Sequence, residues 1–307
     1  MTAAGRGPRV SVVIPTYRHQ DFILATLDSV FAQTMTEYEV IVINDGSPDD
    51  TAAILEPLVH DGRIVYVEQT NKGQSRARNL GIARARGDYI ALLDDDDLWP
   101  PDKLEWQTEY LDAHRDVGLI GGVLQTIDEN GTEGWKGKYW PSIDFESLFL
   151  ENPFLSPGQT LIRADLLKRI GGMDSTIWGA DDWDLWFRIA KASRIVMLDR
   201  LGLYYRLHPG NASKQTERLL SACCVTIERH LPDVPRARRA ALRFGFQRTV
   251  YEGLGAVLTR KARSQARDGD IVGAVRTLKG LLPLWRGLAL NAPIRSSFLR
   301  HAWWGSE

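Results

Sequence analysis

Tyr89-Ile90-Ala91-Leu92-Leu93-Asp94-Asp95-Asp96-Asp97 joins five largely apolar residues to four consecutive aspartates. The apolar run reads as a buried strand, and the aspartates mark its carboxyl end. Adjacent like charges repel, so a fold that gathers four carboxylates at one strand end invites a cation. Hard divalent ions take oxygen ligands, often one or two carboxylates together with substrate phosphates. The competing reading is a solvated acidic loop leading into a helix, because Pro100-Pro101-Asp102-Lys103-Leu104 has the form of a helix start.

The sequence upstream of this stretch alternates in type. Val10-Ser11-Val12-Val13-Ile14 is a β-branched run stopped by Pro15. Helical spacing follows over 21–33. A second buried run, Tyr38-Glu39-Val40-Ile41-Val42-Ile43, ends at Asn44-Asp45-Gly46-Ser47. Then come a helix over 49–58, a third strand Ile64-Val65-Tyr66-Val67, and a helix over 75–86 closed by Gly87. Alternating strands and helices predict a mostly parallel sheet flanked by helices. Ligands of such sheets bind at the carboxyl ends of the strands. Polar groups stand at three of those ends: Pro15-Thr16-Tyr17, Asp45, and Asp94 to Asp97.

Residues 117–180 are less regular. Trp135 to Trp140 reads as a glycine-rich loop, Gly158 to Arg163 as a strand, and 164–170 as a helix closed by Gly171-Gly172. A further helix spans 182–192. Ile195 to Leu198 and Leu203 to Arg206 read as two closing strands. Beyond Gly210 the pattern is helical with arginine-rich faces. No Walker loop and no Gly-x-Gly-x-x-Gly follows a strand, which disfavours a P-loop NTPase or a dinucleotide dehydrogenase.

The chain has 307 residues, 44% hydrophobic and 25% charged, a composition ordinary for one large globular domain or two smaller ones. Its net charge of −1 conceals an asymmetry. Residues 211–307 carry 17 Lys+Arg against 7 Asp+Glu, and residues 1–210 carry 21 against 32. Two regions are therefore expected, an α/β domain over 1–210 and a helical extension over 211–307. The stretches Leu281-Leu282-Pro283-Leu284-Trp285 and Phe298 to Trp304 are amphipathic enough to lie on an anionic membrane surface. The alternative is that this extension packs on the α/β domain or on a second copy of the chain, as a homodimer. No recognition motif accompanies the positive charge, so nucleic acid is not an expected partner. The adjacent Cys223 and Cys224 do not suit a disulfide framework, which fits a cytoplasmic setting. Met1 to Pro8 offers no apolar signal core, and no run of about 18 apolar residues is present.

Read in order, Val12 to Tyr17, Val42 to Ser47, Asn71-Lys72-Gly73 with Ala77-Arg78-Asn79, and Leu93 to Asp97 resemble the family 2 glycosyltransferases of the GT-A fold. Gly171-Gly172-Met173-Asp174, Asp181-Asp182-Trp183-Asp184-Leu185-Trp186 and Tyr205-Arg206-Leu207-His208 extend the resemblance to roughly residues 9–210. It implies a Rossmann-like sheet and transfer of a sugar from a nucleoside diphosphate sugar, UDP or dTDP in type, to an acceptor hydroxyl with inversion. A glycan or glycolipid acceptor, synthesis of a bacterial-type polysaccharide, and work at the inner face of the cytoplasmic membrane are further implications.

The resemblance also suggests roles. Pro15, Thr16, Tyr17, Asp45, Arg78, Asp94, Asp95 and His208 would bind the donor. Asp96, with Asp94, matches an Asp-x-Asp pair for Mn2+ or Mg2+; Asp97 could instead cap the next helix. Asp182 matches the general base, with Asp181 in the place of the usual glutamate. Trp178 would touch the acceptor. Tyr17 could equally be core, Arg78 a solvated helix residue, and Asp181-Asp182 a favourable helix start. Two rival functions share the acidic site: a sugar nucleotidyltransferase and a non-catalytic sugar-nucleotide-binding protein.

Overall fold

The computed structural model describes residues 7–211 and 214–284. The chain divides into two compact units. One comprises the chain up to Asp144, Pro153–Thr176 and Asp184–Pro209; the other comprises Phe145–Asn152, Ile177–Trp183 and the chain from Gly210 onward.

The first unit is built on an eight-stranded sheet. Its elements begin β1 (Val10–Thr16), α1 (Ile23–Phe31), β2 (Tyr38–Asn44), α2 (Thr51–His60), β3 (Val65–Glu68), α3 (Gln74–Arg84), β4 (Tyr89–Leu92) and α4 (Lys103–Ala113). They continue with β5 (Val117–Ile127), β6 (Glu133–Lys136), β7 (Thr160–Arg163), α5 (Ala164–Ile170), α6 (Asp181–Ala192), whose residues up to Trp183 belong to the second unit, and β8 (Arg194–Arg206). Strands run in the order β3-β2-β1-β4-β7-β5-β6, with β8 also paired to β5. The half from β3 to β4 is parallel, as the alternation of strands and helices predicts. β7 is antiparallel to both β4 and β5, β6 is antiparallel to β5, and β8 is parallel to β5, so the whole is mixed.

Successive residues of β1 serve opposite faces of the sheet. Val10, Val12 and Ile14 join Ile23, Leu27 and Val30 of α1 and Leu104 and Leu111 of α4 in one core. Val13 points the other way, against α3, where a Cβ on Gly81 would stand only 2.3 Å from Val13 Cγ1. That glycine lets helix and strand approach closely.

β1 runs past Pro15 rather than stopping before it. Its pairing with β4 ends at Val13↔Leu92, while pairing with β2 continues to Thr16↔Asn44. The Val13 carbonyl accepts from Leu93 and the Thr16 carbonyl from Asp45, so odd-numbered residues face β4. Pro15 thus falls where β4 has already left, and its missing N–H removes no ladder bond. The segment expected to be a loop at Trp135 contains the exposed edge strand β6, whose Gly134 and Trp135 carbonyls accept from Gln125 Nε2 and Thr126 Oγ1. The two closing strands are one, β8, with register shifts opposite Gly122 and Val123 that absorb the polar 199–202 segment.

The second unit contains α7 (Thr216–His230), α8 (Arg236–Val250), α9 (Ala256–Arg267) and α10 (Ile271–Lys279). Asp270 caps α10 by accepting from the Gly273 N–H at 2.8 Å. Cys223 and Cys224 are free thiols. Of the amphipathic stretches, Leu281 and Leu284 are buried and Leu282 is exposed. Trp285 and the Phe298 to Trp304 stretch lie outside the described residues. Among the described residues no helix is long and apolar enough to cross a membrane.

Candidate active site

Three parallel strands end together. β1 is hydrogen-bonded to β2 on one side and β4 on the other, so Thr16, Asn44 and the Leu93–Asp97 turn share one edge of the sheet. The acidic turn is held from below by α1: Thr26 Oγ1 lies 3.0 Å from the Asp95 carbonyl and 2.8 Å from that of Asp97. It is held from β8 by Arg206, whose Nε donates to the Asp96 carbonyl at 2.9 Å and whose backbone N–H donates to Asp97 Oδ1 at 3.0 Å.

The four aspartates have four different surroundings. Asp94 Oδ1 accepts from Arg78 Nη2 at 2.5 Å and from Gln74 Nε2 at 3.0 Å. Arg78 is therefore a buried ion-pair partner and not a solvated helix residue. Asp95 accepts the Tyr17 N–H on Oδ2 at 3.2 Å and sits 2.7 Å from His19 Nδ1 on Oδ1, tying down the loop after β1. Asp96 Oδ2 lies 2.8 Å from His208 Nε2. Asp97 is fully buried, bonded to Arg206 and, at 3.4 Å, to Ser156 Oγ. It does not cap α4, whose N-cap position is Asp102.

Burial sets the titration of this turn. It pushes Asp94 above the usual carboxylate range against the opposing charge of Arg78, and Asp95 likewise against His19. Asp97 is raised well above that range, by burial and then by the charges of Asp96 and Asp94. Burial lowers the pKa of His19, but the hydrogen bond and charge of Asp95, with Asp96 and Asp94, outweigh it and raise it to about 9.

One ligand atom each from His19, Asp96 and His208 lies within 4.8 Å of the other two. A carboxylate and two imidazoles at that spacing fit a divalent cation. Asp94 is outside this group. The sequence places His208 near the donor rather than among the metal ligands, and gives His19 no role. Its position three residues beyond Thr16, in a loop leaving a strand end already marked as polar, was the available signal.

Asp45 is buried against the loop before α3. Its Oδ1 accepts from Gln69 Nε2 at 2.7 Å and the Lys72 N–H at 2.8 Å, and its Oδ2 from the Gly73 N–H at 2.8 Å. A carboxylate offers about four acceptor positions, so one remains for a ligand donor. Gly46 and Gly73, which shape this loop, both have φ in the left-handed region, +72° and +90°. Pro15 and Thr16 are buried in β1, and the Thr16 carbonyl accepts the Asp45 N–H at 2.9 Å. Tyr17, partly exposed beyond the strand end, has the Arg18 guanidinium 5.2 Å from its ring centroid. Arg18 is the one non-glycine described residue with positive φ, +63°. Backbone strain of this kind clusters at ligand sites.

Asp181, Asp182 and Trp178 belong to the second unit. Asp181 and Asp182 open α6 and are buried. Asp182 Oδ1 accepts the Trp183 N–H at 2.6 Å, and the Trp183 indole donates to the Leu148 carbonyl at 3.0 Å, fixing the helix start. Burial, then the charges of Cys224 and Asp182, raise the Cys223 thiol, which keeps it protonated and inert. Trp178 is half-buried with the Arg218 guanidinium 3.9 Å from its ring centroid.

Residues 11–171 match the family described as Glycosyl transferase family 2. An uncharacterized glycosyltransferase of Rickettsia bellii (strain RML369-C) is 40% identical over 139 residues, 45% of this chain and 19% of that protein. The relatives matched first share between 19% and 64% of their own length with this chain. Among solved structures, S. aureus TarS 1–349 in complex with UDP-GlcNAc superposes with a TM-score of 0.65 at 20% identity, over 80% of this chain and 73% of that one. The mannosyltransferase PcManGT of Pyrobaculum calidifontis, in complex with GDP-Man and Mn2+, gives a TM-score of 0.59 at 21% identity, over 97% and 85%. These structures share the fold.

Proposed function

Because this chain belongs to glycosyl transferase family 2, we propose that it is an inverting, divalent-metal-dependent enzyme that moves a sugar from a nucleoside diphosphate sugar to an acceptor hydroxyl. The observation that carries the reading is the grouping of Asp96 with His208 and His19 at the carboxyl end of the parallel strands. Asp96 and His208 would hold the cation. When bound, the cation supplies positive charge to the departing diphosphate, where charge develops in the transition state.

The chain's own residues have separable tasks. Tyr17 offers a partly exposed ring at the β1 end for stacking on the base. The fourth acceptor position of Asp45 suits the imide N–H of a uracil or thymine ring, which favours UDP or dTDP as carrier. Arg78, ion-paired with Asp94, sits beside the acidic turn, where a guanidinium charge suits the diphosphate. Asp95 orders the Tyr17–His19 loop, which supports the ribose side of the pocket.

Asp182 is the general base of the reading, with Asp181 beside it. The acceptor hydroxyl oxygen forms a bond to the anomeric carbon as the bond from that carbon to the diphosphate oxygen breaks. The hydroxyl proton passes to the Asp182 carboxylate, and the electron pair of the broken bond leaves with the nucleoside diphosphate. One displacement inverts the anomeric centre. Trp178 would border the acceptor, a glycan or glycolipid.

The test is turnover of UDP-, dTDP- and GDP-sugars with Mn2+, scored for nucleoside diphosphate release, and of CMP-sugars, scored for CMP release, with and without glycan acceptors. Metal-dependent release abolished by Asp96→Asn is expected, with an inverted product linkage by NMR. Pyrophosphate from a nucleoside triphosphate would favour the nucleotidyltransferase. Binding without transfer or donor hydrolysis would favour a non-catalytic protein.

A further inference from the structure

Asp96 and His208 alone would resemble many oxygen-rich divalent sites, in which Mg2+ and Mn2+ compete closely. His19 changes the donor set. One of its ring nitrogens, one carboxylate oxygen of Asp96 and one ring nitrogen of His208 lie within 4.8 Å of one another. The two imidazoles meet edge to face with centroids 5.4 Å apart, and Phe22 packs against both, 5.8 Å from His19 and 4.7 Å from His208. The rings are therefore held by packing. His19 Nδ1 is already engaged by Asp95 Oδ1 at 2.7 Å, which leaves Nε2 as the nitrogen free to ligate. Metal-bound histidines commonly use this arrangement, with the outer nitrogen oriented by a carboxylate.

We propose that His19 is a third protein ligand of the divalent cation, completing a site of one carboxylate and two imidazoles that selects first-row transition ions over Mg2+. The proposal rests on the metal-dependent reading above and adds a ligand and a selectivity to it. The physical reason is the affinity of nitrogen donors. Imidazole binds Mn2+, Fe2+, Co2+ and Zn2+ with increasing strength toward zinc, whereas Mg2+ prefers oxygen and surrenders its water reluctantly. A site with three protein ligands also binds its ion before the nucleotide arrives.

Pulsed EPR on Mn2+ added to the nucleotide-free full chain tests this, because it counts coordinated nitrogens directly. Two 14N couplings are expected in the wild type and one in either His19→Asn or His208→Gln. Asparagine at 19 can still donate to Asp95 from the position of Nδ1 while removing the second nitrogen. Mn2+ affinity should fall about tenfold or more in His19→Asn, with Mg2+ affinity measured by competition little changed. A single nitrogen in the wild type overturns the role of His19 and leaves metal dependence standing; that count needs no variant to fold. Wild-type Mn2+ affinity in Asp96→Asn, or no Mn2+ binding with or without UDP, overturns the metal reading itself.

Discussion

Arg206 reaches two consecutive residues of the acidic turn, giving its backbone N–H to Asp97 Oδ1 and its guanidinium Nε to the carbonyl of Asp96. The two ends of this contact are 109 and 110 positions apart in sequence. The last strand of the sheet therefore fixes the turn that begins after the fourth. Two residues beyond Arg206, His208 approaches Asp96, so one strand end delivers both the brace and a ligand group.

Arg206→Met tests the brace. The backbone bond to Asp97 survives, but the Asp96 carbonyl loses its charged donor and the Phe22 ring loses a guanidinium 5.3 Å away. A buried hydrogen bond from a charged group contributes about 1.5–3 kcal/mol, so stability should fall by about that amount in urea titrations. Mn2+ affinity should fall as well, because Asp96 and His208 lose their shared anchor.

Asp45 is expected to matter for structure as well as for ligand. Asp45→Ala removes three acceptor contacts and strands the Lys72 and Gly73 N–H groups at the start of α3. Lys72 and Gly73 are exposed, so water replaces part of each lost bond and the cost should fall below the about 1–3 kcal/mol of a fully buried unpaired donor. Asp45→Asn keeps one acceptor oxygen and should be milder. Calorimetric titration with UDP should show weaker binding in both, since the 69–73 loop is displaced in one and the remaining acceptor position is changed in the other.

The sequence patterns that carried the fold were those with a local cause. Alternating strands and helices up to Leu93 predicted the parallel half, and the polar ends at Thr16, Asp45 and Asp94 converge because parallel strands end on one side. The antiparallel half was harder to read because its pairing is not local. Thr160–Arg163 lies between β4 and β5, and the exposed Glu133–Lys136 edge has no apolar alternation to mark it. His19 escaped notice because a lone histidine in a polar loop carries no periodic signal. Only the folded chain brings it to His208, 189 residues along.

Gly81 offers a test in which two local rules disagree. In the interior of a helix, alanine is about 1 kcal/mol better than glycine. Here a Cβ would stand 2.3 Å from Val13 Cγ1 and 3.2 Å from Cγ2. Overpacking costs typically about 1–3 kcal/mol, so Gly81→Ala should be net destabilising by chemical denaturation. Val13→Ala removes the clashing methyls, and the double variant should be more stable than the sum of the two single changes predicts.

Asp182→Asn should separate chemistry from binding. Removing a general base lowers turnover by about 10²–10⁴-fold. Donor and Mn2+ affinities should stay within about twofold of the wild type. Loss of donor affinity in step with turnover would instead mark Asp182 as a binding or folding residue.

Lys103, buried at the start of α4, gives a pH dependence unrelated to the acidic turn. Its Nζ donates to Gln107 Oε1 at 2.8 Å and to the Thr160 carbonyl at 3.2 Å, and lies 4.1 Å from the Trp99 ring centroid. Among the described residues no carboxylate pairs with it, and burial pushes its pKa well below the usual lysine range. At pH below the folded value, lysine is charged in both the folded and unfolded chains and folding bears the full desolvation cost. As pH rises through the folded value toward about 10.4, the unfolded chain holds one proton more than the folded, so stability rises with pH. Lys103→Met removes this contribution. The Tm of the wild type minus that of Lys103→Met should therefore increase as pH is raised from neutrality to about 9.5, measured at constant ionic strength. A difference that stays flat, or falls, would mean that the two carbonyls and the indole face keep the ammonium charged throughout that range.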